Sequence, residues 1–245
     1  TASGRDVTLR IYARARDIPQ CDFALGALRD SMIWDEKVYG CEYDLDQYNI
    51  VAVEDFNMGA MENKGLNVFN TRYVLAQPAT ATDQDYRAVR DVIGHEYLHN
   101  WSGNRVTLRD WFQLSLKEGF TVFREQQFSA DHDSAGVKRI EDANLVRTQQ
   151  FREDAGPMAH PVRPDSFVEI NNFYTLTVYI KGAEVVRMLS LLVGSEGFLK
   201  GCRHYFAQHD GEAVTTDHFV RAIETACDID LTQFRRWYEQ AGTPQ

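Results

Sequence analysis

The chain has 245 residues, 44% of them hydrophobic and 12% aromatic, enough for one large domain or two lobes sharing a cleft. Its formal net charge is −10, with no basic cluster, which makes nucleic acid and anionic membrane surfaces poor partners. No run of 18 apolar residues is present to span a bilayer, and the four cysteines (Cys21, Cys41, Cys202, Cys227) form no CxxC pair, so free thiols in a reducing, cytoplasmic setting are expected.

In chain order, "DVTLRIYA" alternates Val7, Leu9, Ile11 and Ala13 as a strand does, and begins as if cut from a longer chain. "FALGALRDSMIWDEKVYG" has helical spacing through Phe23, Ala27, Leu28 and Met32, with Gly40 as its stop. "NIVAVEDF" supplies a short apolar run, and "GLNVFNTRYVLA" reads as strand, alternating Leu66 and Val68 and then Tyr73 and Leu75. Between them "NMGAMENKG" is a glycine-bounded loop. From Thr82 the texture turns helical. "TDQD" offers an N-cap at Thr82 with Asp85 three residues on, Tyr86, Val89 and Ile93 follow at helical spacing, and Gly103 closes the segment. "DWFQLSLKEGFTVFREQQF" is a second helix, "GPMAHPVRPDS" breaks the pattern, and the segments from "NNFYTLTVYIKG" to "LTQFRRWYEQAG" resume it. The expected organisation is a mixed β/α lobe over 1–80 and a helical lobe over 81–245, without internal repeats.

The chemistry concentrates in "DVIGHEYLHNW". Residues four apart on a helix share a face, so His95 and His99 point the same way, one turn apart, in an H-E-x-x-H pattern. A catalytic zinc takes three protein ligands and leaves a fourth position for water. Glu118, in "SLKEGF", is separated from His99 by 18 residues, a gap that fits the end of one helix, a turn and an antiparallel return. His95, His99 and Glu118 thus make a candidate His₂Glu site for one zinc ion. Glu96 is turned about 100° around the helix from His95, better placed to take a proton from the metal's water than to be a ligand.

With "GAMEN" at 59–63 ahead of that pattern, and "WSGNRVT", "LKEGF", "HPVRP" and "YIKGAEVVRML" beyond it, essentially the whole chain resembles the aminopeptidase N family of zinc metallopeptidases, its bacterial alanyl-aminopeptidase branch in particular. The resemblance implies an α+β, thermolysin-like (gluzincin) catalytic domain: a small β-containing lobe, a larger helical lobe, and the metal in the cleft between them. It implies zinc-dependent hydrolysis of the N-terminal bond of unblocked peptides. An exopeptidase must recognise a free α-ammonium, and a carboxylate at a fixed distance from the metal does so; Glu62 is the candidate. The backbone of Gly59, Ala60 and Met61, beside Glu62 and Asn63, is placed to pair with the substrate main chain as an exposed strand edge does. Met58 is a candidate wall for the first substrate side chain, its thioether adapting to varied shapes. A donor is also needed for the charge developing on the carbonyl oxygen. Residue chemistry leaves Tyr174 and Tyr179 open; the family motif favours Tyr179.

Two features depart from the family. Lys117 stands where many members have Asn. Full-length members also carry an N-terminal β-domain and a C-terminal helical domain, which are the partners expected for an excised catalytic segment. The competing readings are a zinc endopeptidase using the same machinery and a catalytically silent peptide-binding module, against which the base Glu96 and the tyrosine argue.

Overall fold

The computed structural model describes residues 1–243 and divides the chain into two compact units, the first Thr1–Asn100 and the second beginning at Trp101. The first contains β1 (Thr8–Tyr12), α1 (Asp22–Val38), β2 (Gln47–Val53), β3 (Ala60–Met61), β4 (Leu66–Asn70) and α2 (Asp83–Leu98). Its sheet has the order β1-β2-β4-β3. β1, β2 and β4 run parallel, and β3 pairs antiparallel with β4 at the outer edge, Ala60 opposite Phe69 and Met61 opposite Val68.

Period-two burial sets the inner face of this sheet. Tyr48 and Ile50 on β2 and Asn67 and Phe69 on β4 are buried while their neighbours are not. α1 and α2 pack on each other, α1 through Ala24, Ala27, Leu28 and Met32, α2 through Val89, Ile93 and Tyr97. Tyr43, Tyr48 and Tyr97 form a buried aromatic cluster with ring centroids 5.3–6.1 Å apart. α2 begins as its sequence implies: Thr82 accepts from the Asp85 N–H while Asp85 accepts from the Thr82 N–H, a reciprocal capping box.

Three local expectations for this unit fail. Thr71–Tyr73 is a 3₁₀ turn rather than a continuing strand, because the Asn70 side chain accepts from the Arg72 N–H and turns the backbone. The loop at 57–65 contains the short strand β3. α2 ends at Leu98, earlier than Gly103: the Asn100 N–H bonds back to Tyr97, tightening the last turn and winding the chain off the helix.

The second unit is mostly helical: β5 (Thr107–Leu108), α3 (Leu114–His132), α4 (Ala135–Leu145), α5 (Phe151–Asp154), α6 (Gly182–His209), β6 (Ala213–Val214), α7 (Thr216–Cys227) and α8 (Arg236–Glu239). α6 packs on α3 and α7 around Phe120, Phe198, Phe206 and Phe219. Within this core Arg124 is fully buried, its guanidinium over the rings of Phe120 and Phe206. Unanticipated features are the two-residue parallel pair β5–β6, π-helical turns at Val146–Gln150 and Thr177–Lys181, and a break in α6 at Gly194, whose φ of 73° favours glycine. Among the described residues no helix is long and apolar enough to cross a membrane. The composition of the units is α+β, as expected.

Candidate active site

The first unit carries the histidine pair. His95 lies in the last turn of α2 and His99 is its C-cap residue, still in the right-handed helical region (φ −61°, ψ −16°), so the four-residue spacing keeps both rings on one face. Their Nε2 atoms are 3.0 Å apart and the rings meet at 83°. Two nitrogens each about 2.0–2.1 Å from one tetrahedral zinc would sit about 3.3 Å apart, so this pair converges much as a shared ion requires. Glu62, Glu96 and His99 each bring a ligand atom within 4.8 Å of the other two, and both carboxylates are buried, at 7% exposure. Such a concentration of buried negative charge suits a cation.

Tyr48 reaches this cluster from β2. Burial, and next the Glu96 carboxylate, push its phenol well above the ordinary tyrosine value, with Glu62 adding to the rise, so it remains a neutral hydroxyl among acids. Nothing in the residue pattern singles out Tyr48 beyond its inward position on a strand.

Glu62 follows directly after β3. With β4 on one side and no strand of the described residues on the other, Ala60 and Met61 present an open edge. The Gly59 carbonyl accepts from the Asn70 N–H at 2.9 Å, and the Asn63 carbonyl accepts from the Leu66 N–H across a turn that needs Gly65 at φ 76°. Met61 on this strand and Met58 just ahead of it stand exposed. Beyond it, Lys64 Nζ donates to Asp44 Oδ1 at 2.7 Å and to Asn100 Oδ1 at 2.9 Å, and Asn100 Nδ2 donates to the same Asp44 oxygen at 3.1 Å. This triad ties the residue after Asn63 to the residue after His99. Sequence reasoning missed it, since its members are 20, 36 and 56 positions apart.

The second unit carries Glu118 and the two tyrosines. Glu118 sits in the second turn of α3, 3% exposed, with the Lys117 ammonium in contact with its carboxylate. Tyr179 lies in the middle of the π-helical turn Thr177–Lys181, half-buried against the cluster of Leu114, Phe173 and Val178; the ring of Tyr174, 39% exposed, is 6.4 Å from it. Two contacts lock this turn to α3. Ser115 Oγ donates to the Val178 carbonyl at 2.8 Å. Gly119 and Gly182 approach so closely that a Cβ on Gly119 would lie 2.9 Å from Gly182 backbone atoms. The residue next to Glu118 is therefore confined to glycine, and a side chain at Gly182, three beyond Tyr179, would run into Ser115 Oγ, so the close approach sets where Glu118 and Tyr179 stand relative to each other.

Residues 23–238 match the model of the "Peptidase family M1 domain". The chain is 60% identical over 244 residues to aminopeptidase N of Escherichia coli (strain K12), covering all of this chain and 28% of that protein. It is 30% identical over 256 residues to glutamyl aminopeptidase of Bos taurus, covering 99% of this chain and 26% of that one. The crystal structure of Legionella pneumophila aminopeptidase A in complex with aspartic acid matches at a TM-score of 0.86 and 34% identity, over 98% of this chain and 27% of that chain. The chain thus spans little more than a quarter of the relatives it matches. The fold is the mixed small-sheet and helical arrangement of gluzincins, and the chain belongs to the M1 family of peptidases.

Proposed function

We propose that this chain is the catalytic segment of a zinc aminopeptidase that removes the first residue from peptides with a free N-terminus. The observation that carries this reading is the convergence of His95 and His99 Nε2 beside two buried carboxylates, Glu62 and Glu96. In this reading His95, His99 and Glu118 hold one zinc ion, the third ligand resting on the family resemblance and on the helical spacing of the sequence. Zinc, when bound, supplies Lewis acidity to a water and to the scissile carbonyl.

The remaining steps belong to the protein. Glu62 binds the substrate's α-ammonium, and the open edge at Gly59–Met61 pairs with its main chain, setting one residue's length between amine and scissile bond. Glu96 takes the proton from the attacking water and returns it to the leaving amine. Tyr179 donates a hydrogen bond to the carbonyl oxygen as negative charge develops there. Asn63 shapes the turn behind Glu62, and exposed Met58 borders the first side chain. The four unbridged cysteines accord with a cytoplasmic setting, and the partners are the peptide and the rest of the parent chain.

The test is hydrolysis of alanine p-nitroanilide beside its N-acetylated analogue, by this segment and by its zinc-loaded parent. Cleavage of the free amine alone, abolished by Glu96→Gln with zinc content unchanged, is expected. Equal cleavage of both would favour the endopeptidase reading. Cleavage of neither by the zinc-loaded parent would leave a binding module.

A further inference from the structure

The π-helical turn that carries Tyr179 is held by a segment far away in sequence. Its entering backbone N–H groups have no helical partners, as at any helix start. Glu153, on α5, takes two of them: Oε1 accepts from Thr177 N at 2.7 Å and Oε2 from Leu176 N at 3.3 Å. Glu153 Oε1 also accepts from the Thr177 hydroxyl at 2.6 Å. The third N–H, of Val178, donates to Thr175 Oγ1 at 3.2 Å. Tyr179 N is the next, and donates to the Thr175 carbonyl at 3.1 Å. Tyr179 is therefore the first residue of this helix to rest on a backbone acceptor, and every N–H ahead of it rests on a side chain.

Thr175 is itself fixed. Its oxygen lies 2.9 Å from His160 Nε2, while His160 Nδ1 is 2.6 Å from the Pro161 carbonyl. A carbonyl only accepts, so Nδ1 carries a proton; in the neutral ring Nε2 then accepts from the Thr175 hydroxyl. The order of donation runs Val178 N–H to Thr175, Thr175 O–H to His160, His160 N–H to Pro161. At the other end of the turn, Lys181 Nζ donates to Asp154 Oδ2 at 2.7 Å. Two adjacent carboxylates, Glu153 and Asp154, thus grip the two ends of a five-residue turn whose middle residue is Tyr179.

We propose that Glu153, acting with Thr175 and His160, is a positioning residue for Tyr179, holding its hydroxyl where the oxyanion of the transition state forms. The proposal rests on the reading of Tyr179 as that donor. A donor of this kind works only in the transition state, so displacing it lowers kcat and leaves KM in place. A clamp that merely stabilised the helix would not discriminate between the two.

The experiment is a double-mutant cycle in the zinc-loaded parent enzyme with alanine p-nitroanilide, with zinc content and circular dichroism measured for each variant. Glu153→Ala is expected to lower kcat about tenfold to a hundredfold with KM unchanged, the scale of a small displacement of a reacting group. Glu153→Gln retains one acceptor oxygen and is expected to fall between Ala and the unaltered enzyme; it carries the test if the Ala variant does not fold. In a Tyr179→Phe background the same Glu153 substitutions are expected to change kcat less than about twofold, since nothing remains to position. A full loss of kcat persisting in the Phe background, or a rise in KM at constant kcat, overturns the clamp alone. An unaffected kcat in Tyr179→Phe itself overturns the donor reading and the clamp with it.

Discussion

The end of α2 and the turn ahead of α6 both carry side chains of the proposed active site, and they secure them by different means. At the end of α2, polar side chains are fastened by other polar side chains: Lys64, Asp44 and Asn100 bind one another, and Glu62 and Glu96 crowd His99, with the Tyr48 phenol feeling both carboxylates. Ahead of α6, the fastening is to the backbone. Ser115 holds the Val178 carbonyl, Gly119 abuts Gly182, and Glu153 and Thr175 take the helix's leading N–H groups. A side-chain network loses strength piecemeal when a member is removed, whereas two backbones in contact have no way to yield. The second region is therefore expected to be the more brittle to substitution.

The largest effect tests that brittleness directly. An alanine at Gly119 would place its Cβ 2.7 Å from Ser115 Oγ and 2.9 Å from both the carbonyl carbon and Cα of Gly182, and those backbone atoms cannot rotate away. Overpacking of this kind costs about 2–3 kcal/mol, and Gly119→Ala is expected to lower the unfolding midpoint in urea accordingly. Gly182→Ala sharpens the point, because only a side chain, Ser115 Oγ at 2.2 Å, lies closer than 3.0 Å there, with Gly119 Cα farther off at 3.2 Å. In a Ser115→Ala background part of the cost of Gly182→Ala should disappear; no recovery would mean that the backbones, not the hydroxyl, set the limit.

The contrast also explains what could be read from the residues alone. The helix of His95 and His99 was legible because its signals are local: a capping box at Thr82 and apolar spacing through Tyr86, Val89 and Ile93. The first strands and α1 were legible for the same reason. Where one side chain redirected the backbone, periodicity misled: Asn70 capping Arg72 turned an apparent strand through Tyr73 and Leu75 into a 3₁₀ turn. The clamp on Tyr179 had no local signal at all, because Glu153 reaches it across 23 and 24 positions. The "GAMEN" loop stood out only by family resemblance; its composition is that of an ordinary glycine-containing turn, and the edge strand inside it spans two residues.

A smaller effect arises with pH at the other end of the same turn. Burial alone would raise the Asp154 carboxyl, but the hydrogen bond and charge of Lys181, with the Gly242 N–H, outweigh it and hold its pKa below the ordinary 3.8. A carboxylate depressed in the folded state contributes stability that is complete above the unfolded value and drains away as pH falls through the folded one. The stability gap between the unaltered protein and Asp154→Asn is thus expected to be constant at neutral pH and to close below about pH 4. Urea midpoints measured across pH 2.5–7 would show this, and a gap independent of pH would mean that the ion pair contributes nothing.

The smallest effect on stability is expected in the side-chain network at the end of α2, where it should appear in substrate binding instead. Lys64→Met removes two of the three bonds of the triad but leaves Asn100 on Asp44, and the Lys64 and Asp44 side chains are 33% and 23% exposed. Water replaces much of what is lost, so the stability cost should stay near 0.5 kcal/mol. Lys64 is nevertheless the second residue after Glu62, and without it the turn that presents Glu62 loses its tie to the residue following His99. On the proposed reading of Glu62 as the anchor for the substrate amine, loosening it weakens ground state and transition state alike, the signature of uniform binding. For alanine p-nitroanilide in the zinc-loaded parent, Lys64→Met should therefore raise KM about threefold to tenfold at unchanged kcat. That is the inverse of the pattern expected for Glu153→Ala. If both variants moved kcat alone, the division of labour between the two regions would not hold, and the histidine end and the tyrosine end would have to be treated as one mechanical unit.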